Sequence, residues 1–129
     1  MLDAVFIKIS PEGFGRILLV ENNVGVRNLM ALLLAGAGLK VETVPNGSGT
    51  LDCIRDSNRP FDVVLTGHAM PQMRGLELVR EMARTPNQPP VVVCSTALTA
   101  AEKIDYLTLG VRSFVEKPFR GSAVLGAVN

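Results

Sequence analysis

The chain has 129 residues, 47% of them from the set AVILMFWYC, with a mean hydropathy of +0.29 and a formal net charge of +1. At about 150 residues per domain this is one domain, able to bury a core without staples and too apolar to be disordered. Its 13 basic and 12 acidic residues form no basic block, its two cysteines exclude a disulfide framework or Cys-rich zinc site, and its single histidine excludes a two-histidine metal motif.

Residues 1–15 read as an N-terminal extension. Val5, Phe6, Ile7 and Ile9 are apolar, and Ser10-Pro11-Glu12-Gly13 then breaks the pattern, which predicts a short appended strand or ordered tail, with a linker or docking arm as the alternative. No basic stretch precedes these residues and no small-residue cleavage site follows, so a signal peptide is not expected. No apolar run reaches the roughly 18 residues of a membrane span, and the expected location is the cytoplasm. From Arg16 apolar runs of strand length alternate with helical periods. Ile17-Leu18-Leu19-Val20 reads as a strand buried on both faces. Val26, Leu29, Met30, Leu33 and Ala37 recur at helical spacing, and Gly36 and Gly38 mark the helix end. Asn22 is suited to cap that helix. A second strand, Lys40 to Val44, leads into Pro45-Asn46-Gly47, a turn signal, and Ser48 can cap a short helix that turns Leu51 and Ile54 inward. Phe61 to Thr66 is the third strand and Gly75 to Arg84 the third helix. Pro89-Pro90 opens a fourth strand, Val91 to Ser95, in which Cys94 reads as a small buried hydrophobe. Thr99 can cap a fourth helix with Ile104 and Leu107 toward the core. Val111 to Val115 is the fifth strand, and Ser122 to Val128 a short last helix.

This (βα)5 alternation over residues 16–129 predicts an α/β fold, a doubly wound parallel sheet with helices on both faces, because right-handed crossovers place them there. Ligands of such sheets sit beyond the carboxyl ends of the strands. Glu21, Asn22, Gly67, Ser95 and Lys117 lie at or just after strand ends and are the candidate site. His68, with no carboxylate close to it in sequence, reads as an exposed turn residue.

Arg16-Ile17-Leu18-Leu19-Val20-Glu21-Asn22 resembles the first strand and acid pair of a bacterial response regulator receiver domain. Asp62-Val63-Val64-Leu65 followed by Met70-Pro71-Gln72-Met73-Arg74-Gly75-Leu76 resembles that family's third strand and Met-Pro loop. Ser95, Leu109-Gly110, Phe114 and Lys117-Pro118-Phe119 continue the likeness, with 22 residues from Ser95 to Lys117. The resemblance implies a flavodoxin-like sheet of strand order 2-1-3-4-5, for which a chemotaxis member of the family is a standard example. It implies phosphoryl transfer from a kinase histidine to an aspartate, with Mg²⁺ held by the acid pair, the acceptor carboxylate and a backbone carbonyl. It also implies that Ser95, Phe114 and Lys117 are phosphate-sensing and switch positions, and that Pro118 is a cis proline.

Two positions depart from the family. Its acceptor aspartate stands three residues before the Met of the Met-Pro pair, and position 67 here is Gly. The acid pair is Glu21-Asn22, so one carboxylate is an amide. The resemblance thus implies a degenerate pseudo-receiver, with Gly67 at the acceptor position and Glu21 and Asn22 as a vestigial metal pocket. No catalytic residue, resident metal or cofactor is expected, and Mg²⁺ should bind weakly or not at all. Glu21, whose stem is long enough to reach the space beside Gly67, is read as pairing with Lys117. The expected function is a signalling interaction module and not an enzyme. Its partners would be a histidine kinase or an output domain, met through the face of the fourth helix, fifth strand and fifth helix, with no nucleic acid and no membrane. One alternative is a receiver phosphorylated elsewhere, such as at Thr66 or Ser95. Another is a flavodoxin-like flavin or nucleotide binder, although Asn22-Asn23-Val24-Gly25 matches no Gly-rich phosphate loop.

Overall fold

The computed structural model of the chain describes residues 15–56, 61–85 and 88–116. The expected N-terminal strand, the last helix, Lys117 and Pro118 lie outside the described residues. The elements are β1 (Arg16–Val20), α1 (Val24–Gly36), β2 (Lys40–Val44), α2 (Gly47–Asp56), β3 (Val63–Gly67), α3 (Gly75–Ala83), β4 (Val91–Ser95), α4 (Ala100–Thr108) and β5 (Ser113–Glu116). The five strands form one sheet in the order β2-β1-β3-β4-β5, and every pairing is parallel. The order predicted through the family resemblance is the order observed.

Alternation along β1 divides the core between the two faces of the sheet. Ile17 and Leu19 join Met30 and Leu34 of α1 on one face, with Val63, Leu65 and Cys94. Leu18 and Val20 join Leu78 and Met82 of α3 on the other, with Val64 and Met70. A third cluster of Val79, Val93, Tyr106 and Val111 fills the space between α3, β4 and α4. β1 and β3 are apolar on both sides because both sides are covered.

Three helix details differ from the sequence reading. The cap of α1 is Asn23, whose side-chain oxygen accepts from Val26 N at 2.9 Å. Asn22, one residue earlier, is exposed. At α2 it is Asn46 Oδ1 that accepts from Gly49 N, at 3.0 Å, and Ser48 Oγ donates to the same oxygen. On α4 the expected core residues point outward, with Ile104 60% and Leu107 44% exposed, and the inward position belongs to the fully buried Tyr106. Leu29 of α1 is likewise exposed. An aromatic ring one position from Leu107 offers more area to bury, and it sets the helix rotation.

Candidate functional site

The carboxyl ends of β1, β3 and β4 bring Glu21, Gly67 and Ser95 to one rim of the sheet. Gly67 closes β3, the central strand, and pairs in register with Cys94 of β4. It is buried and does not have a left-handed φ, so no backbone strain calls for glycine here. A Cβ at position 67 would stand 3.5 Å from Met70 Cγ and 3.8 Å from Glu21 Oε1, ordinary van der Waals distances.

Glu21 is buried, with 3% exposure. Its Oε2 accepts from Asn23 N at 3.1 Å, its carbonyl accepts from the Arg27 guanidinium at 2.9 Å, and its own N–H donates to Val44 O. The carboxylate is therefore turned onto the start of α1, where the amide ends of a helix favour negative charge, while its other oxygen faces the volume beside Gly67. The expected pairing of Glu21 with Lys117 concerns a residue outside the described ones. Ser95 Oγ donates to Ala97 O at 2.9 Å and accepts from Ala97 N at 3.2 Å, a local turn closed on itself. Thr66 is fully buried, and its hydroxyl donates to Gly67 O at 3.0 Å.

His68 is not an exposed turn residue. Its side chain is 11% exposed, with Nδ1 2.6 Å from Tyr106 Oη and Nε2 2.7 Å from Glu102 Oε2. Its ring meets Tyr106 edge-on at 5.5 Å, and Tyr106 meets Phe114 edge-on at 6.0 Å. Lys103 Nζ stands 5.7 Å from the centre of the Phe114 ring. A connected row of side chains thus runs from beside Gly67 to β5. Glu102 and Tyr106 were missed because they follow His68 by 34 and 38 residues. The one sequence signal was Thr99-Ala100-Ala101-Glu102, the pattern of a capping box, and that box is formed.

The Glu102 carboxyl is held below its ordinary 4.5, first by the backbone N–H of Thr99 and then by the hydrogen bond to His68. Burial, and then the Glu102 charge, push the Tyr106 hydroxyl up, so it stays protonated. A carboxyl with a lowered folded-state value contributes above the unfolded value and stops contributing as pH falls through the folded one. The Thr99 amide resonance, whose N–H donates to the Glu102 carboxylate, is therefore expected to titrate with a midpoint below 4.5. A midpoint at or above that value would contradict these contacts.

Comparison with known proteins matches residues 17–129 to the response regulator receiver domain family. Response regulator MprA of Mycobacterium sp. (strain KMS) is 33% identical over 104 residues, covering 81% of this chain and 44% of that protein. The chemotaxis protein CheY of Thermotoga maritima is 27% identical, covering 88% of this chain and 94% of that protein. An uncharacterized transcriptional regulatory protein of Bacillus subtilis, YkoG, is 28% identical over 49% of its length, so the chain spans about half of some relatives and nearly all of others. Among solved structures, chemotaxis protein CheY4 of Vibrio cholerae superposes with a TM-score of 0.80 at 25% identity, over 88% of this chain and 95% of that one. The matched span and the strand order place the chain in the response regulator receiver domain family.

Proposed function

We propose that this receiver domain of two-component signalling works through protein contacts alone, without an aspartyl phosphate. The observation that carries the reading is Gly67. It stands at the end of the central strand, at the position the Met-Pro register gives to the family's acceptor, and it has no side chain to phosphorylate. The neighbouring hydroxyls offer no ready substitute. Thr66 is fully buried, and Ser95 is engaged with Ala97. His68 has both ring nitrogens engaged.

The donor set also fits Mg²⁺ poorly. That ion demands tight octahedral oxygen coordination and usually one or two carboxylates beside its waters. Glu21 spends one oxygen on Asn23 N, Asn22 offers a neutral exposed amide, and Gly67 offers nothing. Among the described residues no three His, Cys, Asp or Glu side chains gather into a metal cage. No step of the function is routed through a metal.

Receiver domains generally meet histidine kinases and output domains. The surface proposed for such a partner is the outer side of α4 and β5, where Ile104 and Leu107 lie exposed. Arg112-Ser113 stands where an acidic pair commonly precedes the aromatic, so a salt-bridged dimer through that pair is not part of the reading. The module is read as cytoplasmic and non-enzymatic. Among the described residues no helix is long and apolar enough to cross a membrane.

The test is incubation with acetyl phosphate and Mg²⁺, followed by intact-mass measurement, alongside NMR at Ser95 and Phe114 with beryllofluoride. No phosphate adduct and no shift at either residue are expected, because neither reagent has a differential contact to exploit. A stoichiometric adduct on any residue would refute the reading, as would Mg²⁺ saturation in the low millimolar range.

A further inference from the structure

We propose that His68 is a positioning residue that latches α4 to the end of β3, so that a side-chain bridge holds the α4 surface in one orientation. The bridge stands on its own geometry and does not depend on whether position 67 ever carries a phosphate.

Three observations converge on it. First, the imidazole is enclosed and doubly engaged, at 2.6 Å to Tyr106 and 2.7 Å to Glu102. Both partners lie on α4 one turn apart, so one ring grips the inner side of the helix at two points. Second, Glu102 divides its oxygens. Oε1 accepts from Thr99 N and closes the capping box, while Oε2 takes His68. The contact that starts the helix is thereby tied to the contact that docks it. Third, the backbone at Gly75 leaves room for the Tyr106 hydroxyl that the ring engages. Gly75 N donates to His68 O at 2.9 Å, and a Cβ at position 75 would stand 2.7 Å from Tyr106 Oη and 3.2 Å from His68 Cα.

The hydrogen-bond roles are satisfied in both charge states of the ring. Glu102 only accepts, so Nε2–H donates to it either way. The Tyr106 hydroxyl donates to a bare Nδ1 and accepts from a protonated one. The bridge therefore works as a fixed clamp, with Ile104 and Leu107 carried on the opposite side of the helix it holds. Tyr106, whose other edge meets Phe114, extends the grip to β5.

The test is hydrogen exchange on the intact chain, with four single variants and one double. His68→Ala is expected to speed exchange of the α4 amides at positions 104–108 by about ten-fold, leaving β1 and β3 amides unchanged, as loss of a part-buried hydrogen bond to a carboxylate requires. Glu102→Gln should give a similar loss confined to α4. The double variant should add little to either single change, because both remove the same bridge. His68→Gln, whose amide can replace the Nε2–H donor, should recover part of the protection. This rescue separates positioning from simple packing. If His68→Ala fails to fold, Tyr106→Phe removes one hydroxyl without emptying the core and is read on the same amides. Additive effects of the His68 and Glu102 changes, α4 exchange no faster than that of α3, or no rescue by glutamine would each overturn the latch.

Discussion

Gly75→Ala is expected to destabilise the fold by about 3 kcal/mol or more, while Gly67→Ala should cost less than about 0.5 kcal/mol. Both glycines are buried and belong to neighbouring elements, and composition does not tell them apart. At position 75 an added methyl would sit on the Gly67 carbonyl oxygen, 2.7 Å from Tyr106 Oη and 3.2 Å from His68 Cα. Two of those atoms are backbone, and the third ends a fully buried ring. None can yield without moving α3 off the sheet or tilting Tyr106. At position 67 the nearest atoms belong to Met70, at 3.5 and 3.6 Å. Methionine is the side chain best able to readjust. Alanine there also restricts the unfolded chain, which favours the fold. Denaturant titration of the two variants checks the contrast, and equal losses would mean that the close approach of α3 to β3 is not what glycine serves.

Phosphoryl acceptance is expected to need two substitutions. Gly67→Asp alone should be labelled slowly by acetyl phosphate, and adding Asn22→Asp should raise the rate by roughly ten-fold or more, about 1.4 kcal/mol of barrier. The Cβ of a new aspartate fits, but its carboxyl would extend toward Glu21 Oε1, 3.8 Å from that Cβ. Two carboxylates so close repel unless a cation lies between them. With Asn22 in place the cation is held by one charge fewer, and an amide oxygen is the weaker ligand for Mg²⁺. The measurement is aspartyl-phosphate yield against time at fixed Mg²⁺ for both variants and the unmodified chain. A double variant that folds normally and stays inert would show that the turn of Glu21 toward Asn23 has closed the pocket to the metal.

The sheet was legible because its signal is local. Ile17 to Val20 and Val91 to Ser95 are continuous apolar runs, and strands at just these places follow from burial on both faces. The rim was legible for the same reason, since strand ends locate it: Glu21 follows β1, Gly67 closes β3 and Ser95 closes β4. Errors arose where tertiary packing overrode a short pattern. Ile104 and Leu107 satisfy helical spacing, yet Tyr106 takes the interior. Two adjacent asparagines compete to cap α1, and only the backbone path selects Asn23. The sequence places the third strand from Phe61 to Thr66, whereas it runs from Val63 to Gly67, and Phe61 joins the same core cluster as Leu18 and Val64 from outside the strand. The bridge at His68 was illegible for another reason. Its two partners come from a helix two crossovers away, and no spacing rule joins them.

Among the described residues β2 forms one border of the sheet, and its pattern has a consequence for behaviour in crowded solution. Lys40, Glu42 and Thr43 are exposed along a strand of only five residues. Glu42 is held there by Arg16 at 3.2 Å and by the Cys53 thiol. A strand from another chain that tried to extend the sheet would have to strip water from Lys40 and Glu42 and would find few ladder bonds in return. Short, charged edges of this kind discourage fibrillar growth. Replacing Lys40 and Glu42 by valine would leave a flat apolar border, turning a protective margin into a template for aggregation.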